Sequence, residues 1–332
     1  MRDGSAASAA SAASAAAAAF PVRSTERRED LPTGRRMKIG FFGTPDFAAA
    51  SLARLFEDGY ETVFAVTQPD KPAGRGNRLT PPPVKLLAQM KTEVYQPQSL
   101  RGPETVRLIR GKAPDVIVVV AYGKLLPPEI LGIPPLGCVN IHASLLPKYR
   151  GAAPIQRAIL AGETATGVTS MYMAEELDAG DVILRRETGI GETETSGGLF
   201  ARLAVLGAET LSETLRRIAD GTAPRVPQDG SEATYAPPIA KSEAAIDASG
   251  TVRRVLCHIR GMNPKPAATL DAAGETYKVF SAEASDLSVA APFADSRGLH
   301  IPCADGAVLI REVQPPNGRL MSAADRFRGR AL

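Results

Sequence analysis

Asn140 and His142 stand two residues apart at the end of an apolar run, Gly137-Cys-Val-Asn-Ile-His142, and His142 is the first of only three histidines in the chain. Alternate residues of a strand point to one face, so the amide and the imidazole project together. An amide that donates to a developing oxyanion, beside an imidazole that moves a proton, suits a reaction in which a carbonyl carbon becomes tetrahedral. The same spacing also fits a histidine satisfied at a strand end. Asp178 lies in the turn Leu177-Asp-Ala-Gly180 between two strand-like runs and could point back to the sheet edge, although an aspartate in a turn commonly serves local hydrogen bonds. Lys71, Arg75 and Arg78 fall in a stretch rich in proline and glycine, residues 68–83, and could hold phosphates or simply be solvated.

The elements that must position these groups alternate between strand and helix. Residues 38–42 form a short apolar run that leads through Gly43-Thr-Pro-Asp46 into a helix beginning near Pro45 or Asp46. The turn is not G-x-G-x-x-G, so no dinucleotide site follows from it. Residues 62–67 read as the second strand, and the prolines of 68–83 make that stretch a long surface loop. Helices are expected over 84–91 and 103–111, with a short strand at 93–95 between them. Residues 115–121 are a continuous β-branched run of the kind buried in a parallel sheet. A helix over 155–160, a strand over 166–173 and a long helix over 195–219 complete the unit. The pattern predicts an α/β, doubly wound, mostly parallel sheet, in which ligands sit beyond the carboxyl ends of the strands, where His142 falls.

At 332 residues the chain predicts two domains and a tail. Hydrophobic residues at 44% against 23% charged are the balance of a soluble protein with a sizeable core. The net charge of +3 argues only weakly for a polyanionic partner, and residues 1–36, with six arginines against four acidic residues, carry most of it. Any contact with nucleic acid must therefore rest on local patches. The three cysteines have no metal or disulfide spacing, which points to a reducing, cytoplasmic setting, with no metal. No apolar run reaches the ~20 residues of a membrane span.

Residues 1–36, mostly alanine and serine at the start, hold too little large apolar surface to fold and read as a disordered extension or an incorrect start, with translation beginning at Met37. The expected layout is a catalytic domain at 37–219, a linker at 220–238 rich in Gly, Pro, Gln and Asp, and a second domain at 239–332. The last consists of short apolar runs between turn residues, which predicts a small β-barrel, OB-like, or a sandwich. Its 12 basic residues from Lys241 on face 10 acidic ones, which fits a solvated surface as well as RNA contact. His258 and His300 read as structural.

Several stretches together resemble the methionyl-tRNA formyltransferase family from Met37 onward. They are Gly43-Thr-Pro-Asp-Phe47, Gln68-Pro-Asp-Lys-Pro-Ala-Gly-Arg-Gly76, Asn140-Ile-His-Ala-Ser-Leu-Leu-Pro-Lys-Tyr-Arg-Gly-Ala-Ala-Pro-Ile-Gln156 and Leu177-Asp-Ala-Gly-Asp181. The second domain adds Ile239-Ala-Lys-Ser-Glu-Ala-Ala-Ile-Asp247, Asn263-Pro-Lys-Pro-Ala267 and Val313-Gln-Pro-Pro316. The resemblance implies transfer of a formyl group from 10-formyltetrahydrofolate to the α-amino group of initiator methionyl-tRNA, by a monomer without a metal. It implies a catalytic trio of Asn140, His142 and Asp178, a folate site lined by Ser144, Leu145, Leu146 and Pro147, and tRNA contacts from Arg75 foremost, then Lys71 and Arg78. A formyltransferase acting on a nucleotide-linked amino sugar is the alternative. The chain departs from the family's pattern at Ala248 and Lys265, where aromatic residues are usual, and at Ser170, where a branched apolar residue is usual. These departures bear on domain packing and tRNA contact rather than on the chemistry.

Overall fold

The structure, a computed structural model, describes residues 36–73, 78–330 and 332. The expectations for residues 1–35 and for Arg75 lie outside the described residues. Strand β1 (Lys38–Gly43) turns into α1 (Asp46–Glu57), with Pro45 at the N-cap and Asp46 in the first turn, where its charge complements the helix dipole. Strand β2 (Glu61–Val66) then pairs parallel to β1.

The stretch expected to be structureless contains a two-stranded ribbon, which corrects the reading from its prolines. β3 (Lys71–Ala73) and β4 (Arg78–Thr80) run antiparallel, with Pro72 opposite Leu79. Both strands of an isolated ribbon are edges, and an edge tolerates a residue without an N–H. After it come α2 (Pro83–Ala88), β5 (Val94–Tyr95), α3 (Pro103–Gly111), β6 (Val116–Val120), α4 (Pro128–Leu131) and β7 (Cys138–His142). Then follow α5 (Pro154–Leu160), β8 (Ala165–Tyr172), β9 (Val182–Gly189) and α6 (Ser196–Ala219).

The seven strands lie in the order β5-β2-β1-β6-β7-β8-β9. Pairing is parallel as far as β7 and antiparallel from β7 to β9. The chain steps outward from β1 to β2 and β5 and then crosses back to β6, so the order reverses between β1 and β6. One face of the sheet, with Phe42, Phe64, Ile117 and Val119, packs on Ile109 of α3 and Ile130 of α4. The other face takes α1 and α6. A Cβ on Gly207 of α6 would stand 3.2 Å from Ile141 and 3.5 Å from the Phe47 ring, so glycine permits this close approach. Ser170 is fully buried on β8 and accepts a hydrogen bond from Thr214 Oγ1 at 2.7 Å. A polar pair thus fills the place where the resemblance leads to the expectation of a branched apolar side chain.

The remaining chain builds α7 (Val252–Met262), β10 (Ala268–Ala272), β11 (Glu275–Ala284), β12 (Phe293–Ala294), β13 (Leu299–Cys303), β14 (Gly306–Gln314), β15 (Met321–Ser322) and α8 (Ala323–Phe327). Its sheet runs β10-β11-β14-β13-β12, with β15 added on β14. This antiparallel sheet curls as half a barrel around a core of Val255, Ile259, Tyr277, Val279, Ile310 and Phe327. Helix α7 was not anticipated from the sequence. It is capped by Thr251, whose hydroxyl accepts from the Arg254 N–H at 3.2 Å, and Arg253 and Arg254 sit between its apolar positions. Residues 220–238 contain only a single short turn of helix, yet they bridge Val182 to Val226 and Arg150 to Tyr235 through their backbones.

Candidate active site

Strand β7 ends with Asn140 and His142 on one face, as the period of two requires. The connection from β8 to β9 returns Asp178 to them. Asn140 Nδ2 donates to Asp178 Oδ1 at 3.3 Å, and His142 Nδ1 stands 3.6 Å from Asp178 Oδ2. The Gly151 N–H donates to the same Oδ2 at 2.8 Å. The side chains of His142 and Asp178 are 8% and 9% exposed, so the group is nearly withdrawn from solvent while still bordering a cleft.

The histidine's hydrogen is assigned by its partner. Nε2 lies 2.9 Å from the Tyr149 carbonyl, which can only accept, so Nε2 carries the hydrogen in the neutral ring. Nδ1 is then left bare and turned toward the carboxylate. The loops that set this geometry bend through the left-handed region at Tyr149 (φ 61°), Gly151 (φ 116°) and Asp178 (φ 51°). Aspartate tolerates that conformation better than most residues, and at Gly151 a Cβ would also meet the Ala236 carbonyl oxygen at 2.9 Å.

Gly180 is held by space rather than by backbone angle. A Cβ there would fall 1.8 Å from the Tyr172 carbonyl oxygen, against backbone that cannot swing away. Gly180→Ala is therefore expected to cost about 3 kcal/mol or more, and to lower activity by displacing Asp178. A thermal melt measured beside the turnover rate checks this; an unchanged melting temperature would contradict it.

The cleft has a volume of about 470 Å³ and a mostly apolar lining that includes Phe47, Phe200, Ile155, Met173 and Leu177 together with Asn140, His142 and Asp178. That size and character suit a small ligand. The structure also puts residues 121–125 on its wall, directly after β6. Sequence reasoning missed them. The signal was the position beyond a strand next to the reversal of strand order, where ligands of such sheets collect.

Ser144, Leu145, Leu146 and Pro147 follow His142 but do not line this cleft. Ser144 is buried, and its hydroxyl donates to the Lys148 carbonyl at 2.6 Å. Thr169 Oγ1 accepts from the Leu146 N–H at 3.1 Å and donates to the Ser144 carbonyl at 2.7 Å, while Arg185 Nε donates to the Leu146 carbonyl at 2.8 Å. The turn is thus tied to β8 and β9 and carries the chain from His142 to Tyr149. Lys71 and Arg78 are exposed on the ribbon. The base of that ribbon is joined to the cleft wall, because Gln68 Nε2 and Thr44 Oγ1 both donate to the Tyr122 carbonyl, at 3.1 and 3.3 Å.

Other ionisable groups nearby are held neutral. Burial pushes the Cys138 thiol up to about 12, and the Tyr122 phenol likewise to about 12. Burial and then its bond to Glu163 hold the Tyr149 phenol well above the usual range. Among the described residues, no group of three or more His, Cys, Asp or Glu is placed to hold a metal ion.

A family profile described as Formyl transferase matches residues 37–215, and one described as Formyl transferase, C-terminal domain, matches residues 238–331. The chain is 43% identical over 300 residues to the methionyl-tRNA formyltransferase of Pelotomaculum thermopropionicum, covering 88% of this chain and 96% of that protein. It is 45% identical over 302 residues to that of Clostridioides difficile, covering 89% and 98%. Among solved structures it resembles HypX from Aquifex aeolicus in complex with tetrahydrofolic acid, with a TM-score of 0.62 at 19% identity. That match covers 88% of this chain but 47% of HypX, so the chain spans about half of that protein. An N-formyltransferase from Helicobacter canadensis, in complex with folinic acid and dTDP-3-aminofucose, has a TM-score of 0.62 at 16% identity and covers 82% and 98%.

Proposed function

The chain belongs to the formyl transferase family, and on that premise we propose that it transfers the formyl group of 10-formyltetrahydrofolate to the α-amino group of methionyl-initiator tRNA, for translation initiation. The observation that carries the chemistry is the meeting of Asn140, His142 and Asp178 in the lining of one cleft. The acceptor is favoured by relatives at 43–45% identity whose full length the chain nearly covers, whereas the amino-sugar neighbour resembles it only in fold.

The folate supplies an activated formyl carbonyl; the faces of its rings suit the mostly apolar cleft between Phe47, Met173 and residues 121–125. Asn140 has two amide hydrogens. One is spent on Asp178, and the other is free to meet an oxyanion as the carbonyl carbon becomes tetrahedral. His142 takes the amine's proton on Nδ1, since Nε2–H is engaged by Tyr149, and returns it to the folate N10 as the bond from the formyl carbon to N10 breaks, leaving the N-formyl amide and tetrahydrofolate. Asp178, 3.6 Å from Nδ1, stabilises the imidazolium that results, and Gly151 N–H keeps the carboxylate in place. The turn of Ser144 to Pro147 supports the folate site from behind by fixing the approach to Tyr149.

In this reading residues 37–219 form the catalytic domain, 220–238 connect, and 239–332 bind tRNA, in the cytoplasm and as a monomer. No helix among the described residues is long and apolar enough to cross a membrane. The stretch 68–83, with the basic residues Lys71, Arg75 and Arg78 in its sequence, meets the acceptor end. Arg75→Ala is expected to raise the KM for tRNA about tenfold while leaving the KM for the folate within about twofold. Steady-state titration of each substrate checks this, and equal effects on both would contradict it.

A further inference from the structure

Asp178 is held at two points, and the second lies in the segment that the sequence presents as a mere connector. We propose that Gln228 is a positioning residue for Asp178, which rests on the reading of Asp178 as catalytic. Gln228 Nε2 donates to the Asp178 carbonyl at 2.9 Å and to the Gly180 carbonyl at 2.8 Å. Its Oε1 accepts from Arg150 Nε at 3.2 Å and Nη2 at 3.0 Å. Arg150 is followed by Gly151, whose N–H returns to the Asp178 carboxylate at 2.8 Å.

These bonds close a ring: Asp178 backbone to Gln228, Gln228 to Arg150, along the chain to Gly151, and back to the Asp178 side chain. Both ends of the aspartate are fixed relative to each other, so its carboxylate cannot turn away from Asn140 and His142 without breaking a member. The left-handed backbone at Asp178 (φ 51°), which aspartate tolerates at some cost, is held by the same ring of bonds.

The burial pattern agrees. Arg150 is 4% exposed, and its one carboxylate partner among the described residues, Glu176 at 3.3 Å, has a side chain 70% exposed. A solvent-facing partner does little for a buried cation, so the Gln228 amide is the group that satisfies the guanidinium inside. Gln228 is itself half-buried between the exposed residues Pro227 and Asp229. The backbone on the far side of the ring is equally fixed: Arg150 N–H donates to the Thr234 carbonyl at 2.8 Å, and Ala236 N–H donates to the Arg150 carbonyl at 2.7 Å. The connecting segment therefore builds one wall of the support beneath the catalytic loops.

Two variants separate positioning from folding. Gln228→Glu keeps an acceptor for Arg150 but loses both amide donors; Gln228→Met keeps the length and loses every hydrogen bond. Formylation of methionyl-initiator tRNA with 10-formyltetrahydrofolate is measured for both, with thermal melts, beside Asp178→Asn. Both are expected to lower kcat by about 10–100-fold, with each KM within about threefold and melting within about 4 °C of the parent. An unchanged kcat overturns the proposal, as does a loss of activity that appears only in KM or only together with a large fall in melting temperature. If Asp178→Asn retains full activity, the reading of the site fails instead, whatever Gln228 does.

Discussion

His142→Ala is expected to lower the single-turnover rate of formyl transfer by about 10³-fold. The imidazole is the one member of the trio that offers a bare ring nitrogen, Nδ1, to an incoming proton while its other nitrogen is engaged by the Tyr149 carbonyl. Its orientation is set by the Tyr149 carbonyl at 2.9 Å on Nε2, which leaves Nδ1 facing Asp178 at 3.6 Å. Alanine removes the acceptor and leaves the nearly buried Asp178 carboxylate with the Asn140 amide and the Gly151 N–H as its donors among the described residues. Folding should survive, because His142 lies at the edge of the cleft rather than among the large core side chains. Rapid-quench measurement with enzyme in excess isolates the chemical step from tRNA release. A variant that folds and retains a near-parental rate would contradict the assignment.

Asn140→Ala is expected to cost about 10²–10³-fold in kcat, the usual loss when one donor to a developing oxyanion is removed. The loss should fall on kcat and on kcat/KM alike, since the bond strengthens only as the carbonyl carbon becomes tetrahedral. Asn140 also donates to Asp178 at 3.3 Å, so its removal partly frees the carboxylate. The double variant with Asp178→Asn should therefore lose less than the product of the single losses, because the two side chains act as one unit. An effect confined to the KM for folate would show instead that Asn140 serves only binding.

Much of the fold was legible because its signals are local. The β-branched run that became β6 has all five of its residues buried, and the long helix α6 begins after Thr195, whose hydroxyl accepts the Gly198 N–H at 3.2 Å. Asn140 and His142 could be paired from spacing, because they share a strand. Asp178 could not be joined to them that way. Its partners lie 36 and 38 residues earlier in the chain, and only the antiparallel return of β8 brings the turn back. The ribbon β3–β4 was hidden because proline is a strong breaker in a central strand and a tolerated residue at an edge. Helix α7 was hidden by its charges, which sit between apolar positions in a window only 11 residues long. Gln228 carries no signal at all in its surroundings of Pro, Asp and Gly. Its role depends on two carbonyls and one guanidinium that tertiary folding alone assembles.

The most direct measurement of the central claim is transfer of labelled formyl from 10-formyltetrahydrofolate under single-turnover conditions, with methionyl-initiator tRNA and a nucleotide-linked amino sugar offered separately as acceptors. The parent chain should formylate the tRNA, fail with the amino sugar, and lose tRNA formylation by about 10²-fold or more in Asp178→Asn. Formylation of the amino sugar but not the tRNA, or an Asp178→Asn variant as fast as the parent, would contradict the account.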